Sequence, residues 1–277
     1  MNYRHAYHAG SHADVLKHVV LTRVIERLKL KPKPFRVIDA HAGAGTYDLG
    51  GPEAFKTGEW QSGIGKLAEP FAPDVETLLE PYRQMTAALA PRYPGSPDLA
   101  ARLMRAEDRL TANELHPEDY ATLARHFRHD RRVTVTGVDA GACLAASLPP
   151  PERRGLVLID PPYEQPGEAD QALKLLADGI RRFATGVFVL WFPLKADGLG
   201  EKLTDAVTAL AIPGTLLIRM RIRESFKGGG LSGSGVIVVN PPWKLDEDLR
   251  VLVPALTKRL ALGDWGQSTV DWLLPPR

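Results

Sequence analysis

Short apolar runs of strand length alternate with segments of helical spacing along most of this chain. The runs cover residues 35–39, 108–115, 132–138, 155–159, 186–192, 215–222 and 235–239. Because parallel strands need crossover connections, this alternation predicts an α/β fold with a mainly parallel, doubly wound sheet of seven strands. The Gly-rich segment 224–234 is too short for a crossover helix, so the last two strands should form an antiparallel hairpin at the sheet edge.

The connection between the first two predicted strands is anomalous. It is more than sixty residues long, whereas a crossover needs only about a dozen plus short loops. Val75, Leu78, Tyr82 and Met85 within it lie at helical spacing and predict a helix in 72–90. We therefore expect a small inserted helical subdomain at 48–95, within a main domain formed by 1–47 and 96–277.

The amino terminus combines a basic arm with a predicted helix. Ser11 is suited to an N-cap, Asp14 follows three residues later, and apolar residues at helical spacing then predict a helix over 12–30. The arm, residues 1–11, mixes aromatic and basic side chains of the kind that stack on unpaired bases and contact phosphates. A frayed terminus without function remains the alternative.

The composition of the 277 residues indicates an intracellular globular protein. A hydrophobic content of 44% suffices for one large core, and the net charge of +2 gives no general attraction to nucleic acid. Cys143 is the single cysteine, so an internal disulfide or a cysteine-rich metal site is excluded. The start lacks a signal peptide's apolar core, and the longest apolar stretch, 186–194, is much shorter than the roughly 20 residues that span a bilayer. We expect a soluble, cytoplasmic protein.

The motif Asp160-Pro-Pro-Tyr163 directly follows an apolar strand, where doubly wound sheets bind ligands. The exocyclic amine of adenine is a poor nucleophile because its lone pair is delocalised into the ring. Asp160 and the Pro161 carbonyl can each accept one of its N–H hydrogen bonds, and Tyr163 can stack on the base. Asp160, Pro161, Pro162 and Tyr163 therefore suggest in-line methylation of an amino nitrogen, with Asp160 as either proton acceptor or hydrogen-bond acceptor. A proline-rich turn is the alternative.

A glycine turn, Asp39-Ala-His-Ala-Gly-Ala-Gly45, follows the first predicted strand. Gly43 within it lets the backbone approach a ligand closely, but the spacing differs from the G-x-G-x-x-G motif of nicotinamide enzymes. His41 is placed either to contact the methionine part of a cofactor or to cap the next helix. An ordinary tight turn is equally compatible with the pattern.

Acidic residues follow three successive predicted strands: Glu114, Asp139 and Asp160. A carboxylate at the second strand end can accept both ribose hydroxyls of a nucleoside, and one at the third can accept from its adenine amine. Each alone is more often a helix cap or a solvated turn residue. In series, in this order, they predict one crevice that holds one nucleoside.

A second motif, Asn240-Pro-Pro-Trp243, is a rival for the catalytic role because it too follows an apolar strand. It closes the last, hairpin strand rather than the strand expected beside strand one. We therefore favour Asp160 and expect Trp243 to pack where the final helix begins.

Two further groups, one of histidines and one of basic residues, are weaker indications of function. His5, His8, His12 and His18 lack partners at the spacing of metal ligands, so we expect no metal site. A basic stretch leads into glycines of the hairpin loop and is either an RNA-facing loop or a solvated tip. Its members are Arg219, Arg221, Arg223 and Lys227.

Together these motifs resemble the RlmJ family of bacterial 23S ribosomal RNA adenine-N6 methyltransferases, nearly from end to end. The matching blocks are Tyr3-Arg-His5, His8-Ala-Gly10, His12-Ala-Asp-Val-Leu-Lys-His18, His41-Ala-Gly-Ala-Gly45, Tyr93-Pro-Gly-Ser-Pro97, Glu114-Leu-His-Pro117, Arg153-Arg-Gly155 through Asp160-Pro-Pro-Tyr163, Arg182-Phe-Ala-Thr-Gly186 and Asn240-Pro-Pro-Trp243.

The resemblance implies a class I (Rossmann-like) S-adenosylmethionine-dependent methyltransferase that acts as a monomer on protein-free 23S ribosomal RNA during ribosome assembly. It makes Asp160 the catalytic acceptor. The implied cofactor residues are His18, His41, Ser96, Glu114, Asp139 and Ala140. The implied residues for the substrate base are Tyr3, His5 and Lys17. The chain departs from the family at Ala140, where the family has glycine.

Other functions fit parts of the same pattern. The tetrapeptide at Asp160 also serves DNA adenine and protein glutamine methyltransferases. A non-catalytic RNA-binding assembly factor could retain the fold, although the intact acceptor, glycine turn and acidic series argue against it.

Overall fold

The computed structural model describes residues 4–226 and 230–276. Its strands are β1 (Arg36–Asp39), β2 (Thr46–Asp48), β3 (Arg92–Pro94), β4 (Arg109–Asn113), β5 (Val133–Thr136), β6 (Gly155–Ile159), β7 (Val187–Leu194), β8 (Thr215–Arg221), β9 (Gly233–Val239) and β10 (Gln267–Leu274). Its α-helices are α1 (His12–Lys29), α2 (Pro52–Thr57), α3 (Glu59–Ser62), α4 (Pro73–Ala87), α5 (Ser96–Leu103), α6 (Pro117–Phe127), α7 (Ala140–Ser147), α8 (Glu168–Arg182), α9 (Leu199–Ala209) and α10 (Leu245–Leu260). Short 3₁₀ turns lie at His5–Tyr7 and Ile64–Leu67.

Eight strands form the central sheet in the order β10-β8-β9-β7-β6-β1-β4-β5. The run from β7 to β5 is parallel throughout, while β9 is antiparallel to both β7 and β8. The α/β class and the β8–β9 hairpin are therefore confirmed. An eighth strand that we did not predict, β10, pairs with β8 outside the hairpin, so the hairpin lies one strand in from the edge.

Apolar residues cover both faces of the sheet and divide the core into two clusters. Successive strand side chains point to opposite faces, so Val37 belongs to one cluster and Ile38 to the other. The first cluster receives the apolar faces of α1, α5 and α10, and the second those of α7, α8 and α9. The parallel strand β6 is buried along its whole length, as expected of a strand covered by helices on both faces.

The segment 48–95 leaves and rejoins the main chain through a two-stranded antiparallel ribbon formed by β2 and β3. Its long helix, α4, lies within the range predicted to be helical. Leu79 and Tyr82 of α4 are buried in the same core cluster as α1 and α10. The division of the chain into a main domain and an inserted subdomain stays a prediction.

The first turn of α1 is held by a carboxylate rather than by its N-cap hydroxyl. Ser11 occupies the N-cap position, but its side chain makes no capping hydrogen bond. Asp14 instead accepts a hydrogen bond from the Gly10 amide at 3.0 Å. This contact places Asp14 at the start of α1 and beside the site described below. Within the described ranges, no helix is both long and apolar enough to cross a membrane.

Candidate active site

One large cavity lies at the carboxyl ends of the parallel strands, beneath the first turns of α1. Its volume is about 1440 Å³, more than the roughly 300–1,000 Å³ of a site for one small ligand. The chain crosses from β1 to β4 on one side, whereas β6 pairs with β1 on the other. The cavity therefore opens at the topological switch point, where open α/β sheets bind ligands.

The cavity brings together every described residue that the sequence assigned to a site. Its lining includes Asp160, Pro161, Pro162, Tyr163, His18, His41, Gly43, Ser96, Glu114, Asp139, Ala140, His5 and Lys17. Tyr3 lies outside the described residues. The lining establishes that these residues are close together, and their individual roles stay predictions.

A buried lysine connects two carboxylates in the lining of the cavity. Lys17 Nζ lies 2.5 Å from Asp160 Oδ2 and 2.9 Å from Asp14 Oδ1. The ammonium hydrogen bond to Oδ2 leaves Oδ1 of Asp160 available to another donor. Sequence reasoning treated Asp14 only as part of a helix start, although the i, i+3 spacing of Asp14 and Lys17 is the signal that could have paired them.

Burial and neighbouring charges shift the pKa values of Lys17 and Asp14 in opposite directions. Burial alone would lower the pKa of Lys17, but the Asp14 and Asp160 carboxylates raise it far above its usual value. Burial alone would raise the pKa of Asp14, yet His5 and Lys17 hold it well below the usual range. The cavity thus carries a permanent ammonium–carboxylate pair at neutral pH.

His41 links the end of β1 to the Asp160-Pro-Pro-Tyr163 motif. The Asp160 amide donates to His41 Nδ1 at 3.3 Å, so the ring proton of the neutral imidazole is on Nε2. Burial lowers the pKa of His41 to about 4, which keeps the ring uncharged at neutral pH. Burial likewise lowers the pKa of His18 to about 3, and its Nδ1 lies 2.9 Å from the hydroxyl oxygen of Tyr93.

Ser96 and Asp39 form a buried pair beside the glycine turn. The Ser96 hydroxyl donates to Asp39 Oδ2 at 2.6 Å, and the His41 amide donates to Asp39 Oδ1 at 3.3 Å. Burial raises the pKa of Asp39 to about 7, and the nearby Asp160 charge acts in the same direction. Asp39 was not among the predicted site residues, because a carboxylate at the end of an apolar strand gave no sign of its complete burial.

Glu114 fixes the glycine turn against the end of β4. Its Oε2 accepts from the Gly43 amide at 2.8 Å, and its Oε1 accepts from the His116 amide at 2.7 Å. Gly43 has a positive φ of 62°, and a Cβ there would lie 2.2 Å from the Tyr47 hydroxyl oxygen. The backbone of the turn therefore approaches its neighbours more closely than any side chain permits.

Asp139 is a helix cap as well as a cavity residue. Its Oδ1 accepts from the amides of Gly141 and Ala142 at the start of α7, at 2.8 and 3.3 Å. This is the capping role that sequence analysis kept as an alternative. Oδ2 of Asp139 makes neither capping contact, so the cap does not exclude a ligand contact from the cavity side.

Tyr163 is anchored by a residue that sequence reasoning missed. Its hydroxyl donates to the Trp191 carbonyl at 2.8 Å, and the two rings are tilted at 56° with centroids 5.9 Å apart. Lys17 Nζ lies 5.7 Å from the centre of the Trp191 ring, within cation–π range. Trp191 is inside a continuous apolar strand, so nothing in its local pattern indicated a place at the site.

The rival motif lies away from the cavity. Because β9 runs antiparallel to β7, the carboxyl end of β9 lies beside the amino end of β7. The cavity lies at the other ends of these strands. At the carboxyl end of β9, Asn240 donates from Nδ2 to the carbonyls of Ala184 and Gly186, each at 2.8 Å. The prediction that Trp243 packs at the start of α10 is wrong: its side chain is 76% exposed, with Lys244 Nζ 4.8 Å from its ring centre.

The basic residues near the hairpin lie in different surroundings. Arg219 donates to Thr204 and Arg221 pairs with Glu201, so both are engaged with α9. Arg223 lines the cavity. Lys227 lies outside the described residues. No group of three or more His, Cys, Asp or Glu side chains among the described residues is arranged to hold a metal ion.

The chain is similar to known proteins over most of its length. The family described as "Ribosomal RNA large subunit methyltransferase D, RlmJ" matches residues 32–274. Two relatives named ribosomal RNA large subunit methyltransferase J, from Haemophilus influenzae and Escherichia coli, are each 40% identical over 99% of this chain and 99% of their own. A crystal structure of a Legionella pneumophila protein has a TM-score of 0.86 at 29% identity, covering 95% of this chain and 98% of that one.

Proposed function

This chain belongs to the RlmJ family of ribosomal RNA large subunit methyltransferases, and we propose that it methylates N6 of an adenine in 23S ribosomal RNA with S-adenosylmethionine as the donor. One observation carries the proposal. Asp160 lies in the cavity that the strand-end carboxylates line, and its Oδ2 is 2.5 Å from Lys17 Nζ. A carboxylate in this position is suited to accept a hydrogen bond from an exocyclic amine.

The cavity residues fit S-adenosylmethionine, which when bound supplies an electrophilic methyl group on sulfur. Glu114 is placed for the ribose hydroxyls and Asp139 Oδ2 for the adenine amine, since both offer acceptor oxygens. Gly43, with its positive φ, allows the tight turn that brings its amide to Glu114 beside this part of the cavity. His18, His41, Ser96 and Ala140 complete the lining around this part of the cavity.

Asp160 and the Pro161 carbonyl orient the adenine amine in this proposal. Each accepts one N–H bond, which favours the more tetrahedral nitrogen needed for attack and stabilises the positive charge that develops on it. A bond forms between N6 and the methyl carbon, the carbon–sulfur bond breaks, and one proton leaves N6. Because Lys17 already donates to Asp160 Oδ2, we assign Asp160 the role of acceptor, with water as the final proton acceptor.

The remaining contacts in this proposal hold the adenine base and restrict its orientation. Tyr163 stacks on the adenine, and its hydrogen bond to the Trp191 carbonyl fixes the ring. His5 contacts Asp14 at 2.9 Å, and Asp14 in turn contacts Lys17, which supports a role for His5 and Lys17 in entry of the base. We propose the same role for Tyr3, which lies outside the described residues. The proposal includes action as a monomer on protein-free ribosomal RNA in the cytoplasm.

Competition between substrates tests the proposed substrate class. Tritium transfer from labelled S-adenosylmethionine is measured onto protein-free 23S ribosomal RNA, with duplex DNA and glutamine-containing peptide as competitors. We expect label only in RNA, released on digestion as N6-methyladenosine. Label in DNA or peptide would contradict the proposal, and cofactor binding without any product would favour a non-catalytic assembly factor.

A further inference from the structure

The cavity extends beyond the residues used for methyl transfer, to a part lined by the start of α1 and by two carboxyl-terminal loops. We call the group formed by His12, Arg223, Leu231 and Leu262 the outer subsite. His12 and Lys17 are five residues apart on α1, which corresponds to about 7.5 Å along the helix axis. One nucleotide unit can bridge that separation, so a strand with its target base at Asp160 would continue into the outer subsite.

His12 lines this part of the cavity and carries an unsatisfied polar atom. Its Nε2 is buried and has no hydrogen-bond partner within the described part of the chain. A buried nitrogen without a partner costs free energy that a ligand can recover. Burial also lowers the pKa of His12 to about 4, despite the opposing charges of Glu59 and Asp14. The neutral ring therefore offers Nε2 as a donor or an acceptor, according to its tautomer.

Arg223 contributes a fixed positive charge that no carboxylate neutralises among residues 4–226 and 230–276. Its Nε donates to the Leu231 carbonyl at 3.2 Å, and its guanidinium lies 5.4 Å from the centre of the Phe226 ring. These two contacts orient the side chain at the cavity. Arg219 and Arg221, by contrast, are engaged with α9.

Apolar surface lies beside these polar groups. Leu262 is 44% exposed, and its amide donates to the Ile222 carbonyl at 2.8 Å, which ties the loop after α10 to the residue that precedes Arg223. An exposed leucine next to a guanidinium and an unpaired imidazole suits a nucleotide, which combines a flat apolar base with polar edges and a phosphate.

We propose that the outer subsite binds the nucleotide adjacent to the target adenine in a single-stranded segment of RNA. Arg223 binds its phosphate, Leu231 and Leu262 contact its base, and Nε2 of His12 hydrogen-bonds to the base edge. The subsite would contribute to the choice of adenine through its neighbour. This inference rests on the proposed function, because it requires the target adenine at Asp160.

Binding of short RNAs tests the subsite. The protein is saturated with S-adenosylhomocysteine, and calorimetry gives dissociation constants for adenosine 5′-monophosphate and for the trinucleotide UpApU. We expect the trinucleotide to bind roughly tenfold more tightly, in the range of one additional base and phosphate contact. His12→Phe, which keeps an aromatic ring but removes the nitrogen, and Arg223→Ala should each lose most of this gain while mononucleotide affinity stays within about twofold.

Arg250→Ala is the matched control, since Arg250 is an exposed arginine on α10 outside the cavity lining. A trinucleotide gain that persists in both subsite variants, or that Arg250→Ala reduces equally, would overturn the inference. A mononucleotide that fails to bind even wild-type protein would instead overturn the proposed function. Melting curves of each variant confirm that the comparison is made on folded protein.

Discussion

Asp14 joins the amino-terminal segment, the lysine of the site and the first turn of α1. It accepts from the Gly10 amide at 3.0 Å and contacts His5 at 2.9 Å and Lys17 at 2.9 Å. The Asp14 side chain is buried. Removing one member of a buried charge pair leaves the other without its counter-charge, which costs about 3–5 kcal/mol.

Asp14→Ala should therefore lower the free energy of unfolding by about 3 kcal/mol or more. The matched control is Asp246→Ala, which breaks the Asp246–Arg250 pair at the surface and should cost less than about 1 kcal/mol. Urea denaturation measures both. Equal losses in the two variants would contradict the role given to Asp14.

The stability that Asp14 supplies should depend on pH in a defined direction. Its folded-state pKa lies well below the usual value of 3.8 because His5 and Lys17 stabilise the carboxylate, so the folded protein binds fewer protons at this group than the unfolded chain does. The contribution is fully present above about pH 4–5 and is lost as the pH falls further. The stability difference between wild type and Asp14→Asn should thus be constant from about pH 6 to 8 and shrink below about pH 4. A difference that grows on acidification would contradict this assignment.

At the scale of elements, the turn after β1 is constrained by a close approach of its backbone to Tyr47. Gly43 needs a left-handed backbone and leaves no room for a Cβ beside Tyr47. Gly43→Ala should weaken S-adenosylmethionine binding roughly tenfold or more, because the turn and its Glu114 hydrogen bond must shift. Gly198→Ala is the control: its φ is also positive, at 76°, but nothing lies within 4 Å of a Cβ there. Calorimetry should find cofactor affinity unchanged in that control.

The edge strand β10 should stabilise the sheet through Trp272, which packs against the first core cluster. Trp272→Ala should cost about 2 kcal/mol, roughly half the loss at a fully buried tryptophan. Trp243→Ala, at an exposed tryptophan, should cost less than about 0.5 kcal/mol. Thermal or urea unfolding compares the two, and a similar loss at both positions would argue against a structural role for β10.

The strands that sequence predicted and those it missed differ in a physical property. β6 and β7 are nearly continuous apolar runs because helices cover both faces of the sheet. The other predicted strands carry apolar residues that pack in the two core clusters. β10 alternates exposed and half-buried residues around Asp271, and β2 and β3 have three residues each. Such segments become strands through pairing with distant partners, which their short local patterns do not specify.

At the scale of the whole molecule, topology made much of the site predictable. Carboxyl ends of parallel strands share one sheet edge, so Glu114, Asp139 and Asp160 were expected to converge, and they line one cavity. The contact between Lys17 and Asp160 spans 143 positions. Nothing local to either residue indicates it, because it depends on how α1 packs over the sheet. The same holds for the contact of Trp191 with Tyr163 and for the burial of His12 Nε2.

The cavity's unpaired cations predict a moderate salt dependence. Lys174, Lys195 and Arg223 line the cavity, and none forms an ion pair with a carboxylate in the part of the chain that the structure describes. If each neutralises one RNA phosphate, the affinity for protein-free 23S ribosomal RNA should fall roughly twentyfold when monovalent salt rises fourfold. Filter binding over a salt series measures the slope. A slope near zero would contradict phosphate binding at the cavity, and a much steeper one would require contacts elsewhere.

In the mechanism that we propose, the Asp160 carboxylate accepts a hydrogen bond from an adenine amine beside the bound methyl donor. The most direct measurement compares wild type with Asp160→Asn in tritium-methyl transfer to protein-free 23S ribosomal RNA, with cofactor affinity measured on the same samples. We predict that kcat falls at least about a hundredfold, that the remaining product is N6-methyladenosine, and that S-adenosylmethionine affinity is largely retained. Undiminished turnover in Asp160→Asn, with the variant folded and cofactor bound, would contradict the claim.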